Sequence, residues 1–224
     1  MATISKSVFD FFEKLEKNNN RDWFNEHKKE FKTIEAEIKQ VYQDLSDLLN
    51  SHDEIDKFKM FRIYRDVRFS KNKLPYKTHI GGSFSRKKPE LRGGYYLHIQ
   101  PGDESFIATG FWSPNKEDLF RIRKEFEQDD LDIRKIINNK EFKKVWGQIV
   151  GDEVKTAPKG FNKDHKAIDL IKKKQFIFTK KYTDKEVTSA NFLKQVDSDF
   201  KAIRPYFNYM SDVLTTDLNG VSLL

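Results

Sequence analysis

The densest polar constellation of the chain lies between Arg62 and Lys77, where Arg62, Arg65, Asp66, Arg68, Lys73, Tyr76 and Lys77 follow one another closely. A guanidinium presents a planar fork of donors that matches two oxygens of a phosphate or carboxylate, and a lysine adds a compact point charge. Asp66, set among the arginines, can hold their rotamers or take a proton from a bound substrate. Read as one uninterrupted strand, Arg62, Tyr64, Asp66 and Arg68 point to one face, and Arg65 to the other unless a bulge near Asp66 re-aims it. Two readings of the cluster stay open. In one, Glu26, Glu30 or Glu35 of the preceding helix ties the arginines down as structural ion pairs. In the other, the surplus of positive charge serves an anion, because like charges crowd at a cost that a counter-ion relieves.

His98 is the second candidate proton carrier beside Asp66. It alternates with Tyr96 and Gln100, so a strand there turns Tyr96 and His98 towards the face expected for the arginine row. The plainer reading is a hydrogen-bonded, non-catalytic histidine. The remaining histidines are His27, His52, His79 and His165, and none of the five falls into H-x-H or H-x-x-x-H spacing, so no metal is expected. His27 falls inside an apolar helix stripe and reads as a packed residue, while Asp164-His165 reads as a helix cap. The chain has no cysteine, which excludes thiolate zinc sites, disulfides and cysteine nucleophiles. Without a G-x-S-x-G elbow, a P-loop or a strand–G-x-G-x-x-G–helix unit, no cofactor is expected either.

The elements that must position these residues are legible from periodicity. Val8 to Leu15 has helical spacing, Asn18-Asn19-Asn20 breaks it, and Asn20 suits the N-cap of a longer helix reaching about Asn50. Phe24, His27, Phe31, Ile34, Ile38, Val41, Leu45 and Leu48 form its apolar stripe. From Phe58 to about Trp112 the period changes to two, and Gly81-Gly82, Gly93-Gly94 and Pro101-Gly102-Asp103 read as turns. Tyr95–Gln100 and Phe106–Phe111 then pair as an antiparallel hairpin. Ser113-Pro114 opens a helix carrying Leu119, Ile122 and Phe126, and short helices follow around 131–137 and 141–146. Residues 164–171 read as helix, 176–178 as strand, and helix resumes at Glu186. The expectation is a single domain over residues 1–224 with an α+β fold: an antiparallel sheet of about five strands packed by a long N-terminal helix and several C-terminal helices.

The basic segment also carries a resemblance. Arg62, Arg65, Asp66, Arg68, Phe69, Asn72, Lys73 and Tyr76 are similar to the R-x-x-R-D-x-R-F…[DN]-K-x-x-Y signature of a mainly bacterial family known as domain of unknown function 2461. Asn20-Arg21, Trp23-Phe24 and His27-Lys28 resemble its opening pattern, Tyr95-Tyr96-Leu97 its central strand, and Pro158, Gly160-Phe161 and Asp164-His165 its later loop. Lys166 departs from the proline expected after the Asp-His pair. The resemblance spans nearly the whole chain and implies a family, with no activity attached.

The net charge of +7 reads as a solvated lysine-rich surface, since acidic residues are interspersed nearly everywhere. The runs Arg86-Lys87-Lys88, Lys172-Lys173-Lys174 and Lys180-Lys181 are weak nucleic-acid signals, and Tyr95, Tyr96, Phe111 and Trp112 read as core before they read as base-stacking platforms. The start of the chain lacks the apolar core of a signal peptide, and no apolar run approaches the ~20 residues that cross a bilayer. A cytoplasmic protein with no membrane partner is therefore expected. The leading functional expectation is a small anionic ligand, phosphate- or carboxylate-bearing, bound by Arg62, Arg65, Asp66, Arg68, Lys73, Tyr76, Tyr96 and His98. The alternatives are an enzyme at the same surface using Asp66 or His98, and a non-specific nucleic-acid binder. Oligomeric state is left open.

Overall fold

The computed structural model describes residues 1–224. Three helices come first: α1 (Lys6–Lys17), α2 (Arg21–Glu26) and α3 (Lys28–Asn50). Four strands follow, β1 (Ile55–Met60), β2 (Ile80–Arg86), β3 (Gly94–Ile99) and β4 (Ser105–Phe111). Next come α4 (Lys116–Gln128), α5 (Leu131–Asn138), α6 (Lys140–Trp146), α7 (Ile168–Ile171) and the last strand, β5 (Phe176–Tyr182). The chain ends on α8 (Asp184–Val187), α9 (Phe192–Lys201) and α10 (Arg204–Thr215). The strands pair in sequence order, β1-β2-β3-β4-β5, as an antiparallel sheet, so the fold is α+β. No helix is long and apolar enough to cross a membrane.

The chain forms two compact units. The first comprises Met1–Phe84, Tyr96–Ile107 and Lys181–Ser198. Its core is built on α3, whose Phe31, Ile34, Ile38, Val41, Tyr42, Leu45 and Leu49 are buried. The Tyr42 ring stacks 5.5 Å from Phe84, and its hydroxyl donates to the Leu97 carbonyl at 2.6 Å. A buried phenol must place its proton somewhere, and this bond satisfies it without breaking the apolar contact. The second unit comprises Ser85–Tyr95, Ala108–Lys180 and Asp199–Leu224. Tyr206 and Phe207 of α10 pack there against Phe178 and Tyr95, each pair edge-to-face at 5.1 Å. The buried Arg86 guanidinium lies 4.6 Å over Phe207 and donates to the Arg92 carbonyl.

The helix expected from Asn20 to Asn50 is interrupted at His27. Asn20 caps α2 as expected, accepting from the Trp23 amide at 3.0 Å. His27 then stacks on Trp23 at 3.9 Å and donates its Nδ1 proton to the Trp23 carbonyl at 2.8 Å, and α3 begins after it. Asn115, rather than Ser113, caps α4 by accepting from the Asp118 amide. Asp164 lies outside α7, whose short helix starts only at Ile168, and His165 Nδ1 accepts from the Ala167 amide at its start.

Gly81 and Gly82 lie inside β2 and make no turn. Successive strand residues face opposite ways, and both faces at this point are occupied by tyrosines. A Cβ at Gly81 would fall 2.3 Å from the Tyr96 hydroxyl, and one at Gly82 2.6 Å from the Tyr42 ring. Glycine is needed because neighbouring side chains already fill the space.

Candidate functional site

β1 ends at Met60, and the ladder to β2 closes with the Phe61 amide donating to the Gly81 carbonyl. The residues read as an arginine-bearing strand instead form a loop. Its two legs are joined by one antiparallel bridge between Tyr64 and Tyr76, with the Arg65 amide donating to the Pro75 carbonyl and the Lys77 amide to the Ile63 carbonyl. Alternation therefore holds only near the bridge, and the single face expected for Arg62, Tyr64, Asp66 and Arg68 does not form.

The loop sorts its polar residues into separate places. At its outer part, Asp66 and Arg68 pair with each other in solvent: Arg68 Nε and Nη2 donate to the two carboxylate oxygens at 3.0 and 2.7 Å. The Arg68 hydrogen bonds hold the Asp66 carboxyl below its usual range. Lys73 reaches back to the Val67 carbonyl at 2.9 Å and so braces the same turn. Tyr76 turns inward. Its ring is buried and stacks 4.0 Å from Phe24, while Asn19 holds its backbone.

Near the foot of the loop a different group gathers. Lys77 Nζ donates to the Arg62 carbonyl at 2.9 Å. Burial, then the charges of Arg62 and Arg65, depress the Lys77 ammonium below its usual pKa. Neither Arg62 nor Arg65 has a carboxylate partner. The glutamates of α3 considered for that role are used elsewhere, Glu30 by Lys14 and Glu35 by Lys32. By contrast Arg92, Arg121 and Arg134 each hold a carboxylate.

The sheet supplies the adjoining surface. Tyr96, His98 and Gln100 alternate along one face of β3 and its extension and form a chain of hydrogen bonds: Tyr96 Oη lies 3.0 Å from His98 Nδ1, and His98 Nε2 2.9 Å from Gln100 Oε1. His79, at the entry to β2, has its ring 4.3 Å from that of His98. Burial first, then His98, Lys77 and Arg65, push His79 down to about 4. Burial also lowers His98, against the Gln100 hydrogen bond and the nearby Glu104 carboxylate. Both rings are thus neutral at pH 7. A neutral imidazole donates on one nitrogen and accepts on the other; since Gln100 Oε1 only accepts, His98 donates from Nε2 and accepts the Tyr96 hydroxyl proton on Nδ1.

The structure brings Arg62, Arg65 and Lys77 together and aligns Tyr96 with His98, while Asp66, Arg68 and Lys73 form the outer turn and Tyr76 joins the core. Sequence reasoning missed His79, Gln100 and Phe61 as parts of this surface. A lone histidine two residues after Lys77 has no metal spacing and no strand parity to mark it. Gln100 was marked only as sharing the parity of Tyr96 and His98.

The family model described as conserved hypothetical protein (DUF2461) matches residues 7–209 of the chain. No curated protein and no protein of solved structure matches it.

Proposed function

The chain belongs to the DUF2461 family, and from that premise we propose that it binds a small anionic ligand, phosphate- or carboxylate-bearing, on Arg62, Arg65 and Lys77. One observation carries the reading: Arg62 and Arg65 lie close enough to Lys77 for their charges to depress its ammonium, and no carboxylate answers the two arginines. Like charges held together raise the free energy of the unliganded protein, and an anion that relieves them gains that energy as affinity. Two guanidinium forks and one ammonium suit the spread oxygens of a phosphate or carboxylate. Arg68 and Lys73 contribute long-range field from the outer turn, and Asp66 fixes Arg68.

A second reading has catalysis at the same place, with His98 as proton carrier. The Tyr96–His98–Gln100 chain favours it, because the Tyr96 hydroxyl can give or take a proton with His98 behind it. Asp66 suits that role less, since both its oxygens are held by Arg68.

Thermal shift and calorimetry with a panel of phosphorylated and carboxylated metabolites test the proposal on wild type, Arg62→Ala and Arg65→Ala. At least one member should bind wild type, and each substitution should weaken it roughly tenfold or more at unchanged melting temperature. If no member binds and both substitutions destabilise the fold, the cluster is structural and the proposal fails.

A further inference from the structure

The cations adjoin an aromatic ledge. Lys77 Nζ stands 5.8 Å from the centre of the Phe61 ring, Phe61 lies 6.3 Å from Tyr96, and Tyr96 lies 5.6 Å from Phe106. Phe61 is 37% exposed, and Tyr96 and Phe106 are half-buried, so ring surface stays open to solvent on the sheet face turned away from α3. Gly81 clears the space in which Tyr96 lies, since a side chain there would strike its hydroxyl. The two ends of the ledge differ in charge. Lys77 stands at the Phe61 end, and its charge and that of Arg65 also act on His79, beside His98. At the His98 end are the Gln100 amide and Glu104, whose carboxylate acts on His98 and pairs with Lys181.

We propose that the anion taken by this site is a nucleoside phosphate, its phosphate held by Arg62, Arg65 and Lys77 and its base laid on Phe61 and Tyr96. The inference rests on the anion-binding reading above and names its ligand class. A bare phosphate or a small carboxylate uses the cations and leaves the ring surface wet. A planar base covers that surface, and base–aromatic stacking adds substantially to affinity whatever the base. One end of the Gln100 amide is taken by His98; the other is left to meet the edge of a base. A running single strand fits less well. It needs unpaired cations repeated along the ledge for successive phosphates, whereas the lysine beside Glu104, Lys181, is already paired with that carboxylate.

Calorimetric titration of the full chain with inorganic phosphate, ribose 5-phosphate, the four common ribonucleoside monophosphates and a short thymidine oligonucleotide decides the matter. At least one nucleoside monophosphate should bind about tenfold or more tighter than ribose 5-phosphate. Phe61→Ala should abolish that margin, weakening nucleoside monophosphate binding far more than ribose 5-phosphate binding, and Phe61→Tyr should keep it. Equal binding of ribose 5-phosphate and every nucleoside monophosphate overturns the nucleoside assignment while the anion site stands. Absence of binding by every phosphate overturns both. Tighter binding of the oligonucleotide, per phosphate, than of any mononucleotide overturns the assignment in favour of a single-strand surface.

Discussion

Asn19 holds the backbone of Tyr76 at both of its polar groups: Asn19 Nδ2 donates to the Tyr76 carbonyl at 3.0 Å, and the Tyr76 amide donates to Asn19 Oδ1 at 3.1 Å. The side-chain amide thus imitates a neighbouring strand. It pins the returning leg of the basic loop to the turn between α1 and α2, close to where the Tyr76 ring stacks on Phe24. The loop that presents Arg62 and Arg65 is therefore anchored by a residue far from it in sequence.

Replacing Asn19 with alanine leaves two half-buried backbone groups unpaired. The expected loss is about 1–3 kcal/mol, or a melting temperature lower by roughly 2–12 °C for a chain of this size. Calorimetric melting of Asn19→Ala measures it. An unchanged transition would mean that the bridge and the Tyr76–Phe24 stack hold the loop alone.

The paired glycines of β2 separate by what each touches. At Gly82 an added Cβ meets the Lys59 carbonyl at 2.8 Å as well as the buried Tyr42 ring, whereas at Gly81 it meets only the Tyr96 side chain. Backbone yields less than the end of a side chain, so Gly82→Ala should be the more destabilising change. With Phe at position 96 the nearest atom recedes from 2.3 to 3.0 Å, so Tyr96→Phe should offset part of the cost of Gly81→Ala. Urea denaturation of both singles and the double completes the cycle. Strict additivity of Gly81→Ala and Tyr96→Phe would count against the steric account.

His79 makes the protein acid-sensitive. With a folded-state pKa near 4 against the usual 6.5, it binds its proton preferentially in the unfolded chain. Its contribution is fully present above pH 6.5 and is lost as pH falls towards 4. His79→Asn should therefore flatten the decline of the urea midpoint over that window, with His98 sustaining a residual slope of the same sign. An anion held beside Lys77 and Arg65 opposes the charges that depress His79, so binding should take up a proton below pH 6.5. Titrations in buffers of different ionisation enthalpy read that uptake, which His79→Asn should reduce.

Asp66 and Arg68 form an exposed pair, their side chains 61% and 76% accessible. Ion pairs of this kind add little to stability, so Asp66→Asn should leave the melting temperature unchanged. It also removes a negative charge and frees the Arg68 fork. Phosphate affinity at low salt should rise, and high salt should erase the gain. A fall in affinity would give Asp66 a direct part in holding the ligand.

Periodicity alone was enough for most of the α3 stripe, the β3–β4 hairpin and the short helices around 131–137 and 141–146, because spacing along the chain decides which side chains share a face. Family membership was legible for a similar reason, since the motif residues keep fixed separations. The basic segment was also visible, but its shape was not. Alternation from Phe61 to Phe69 looks like a strand, yet a strand exists only where a partner supplies hydrogen bonds, and the β2 ladder stops at Phe61 and Gly81. The two glycines looked like turn residues because nothing local records that Tyr96 and Tyr42 fill the space beside them. Tyr76, spaced like a site residue, is drawn into the core by Phe24, and His79 comes to lie against His98 with no motif to announce it. Which cations stay unanswered was beyond the sequence altogether. Thirty-five acidic residues were available, and only the tertiary structure decides which come within reach of Arg62 and Arg65, because Coulomb and hydrogen-bond energies depend on distance in space and not along the chain.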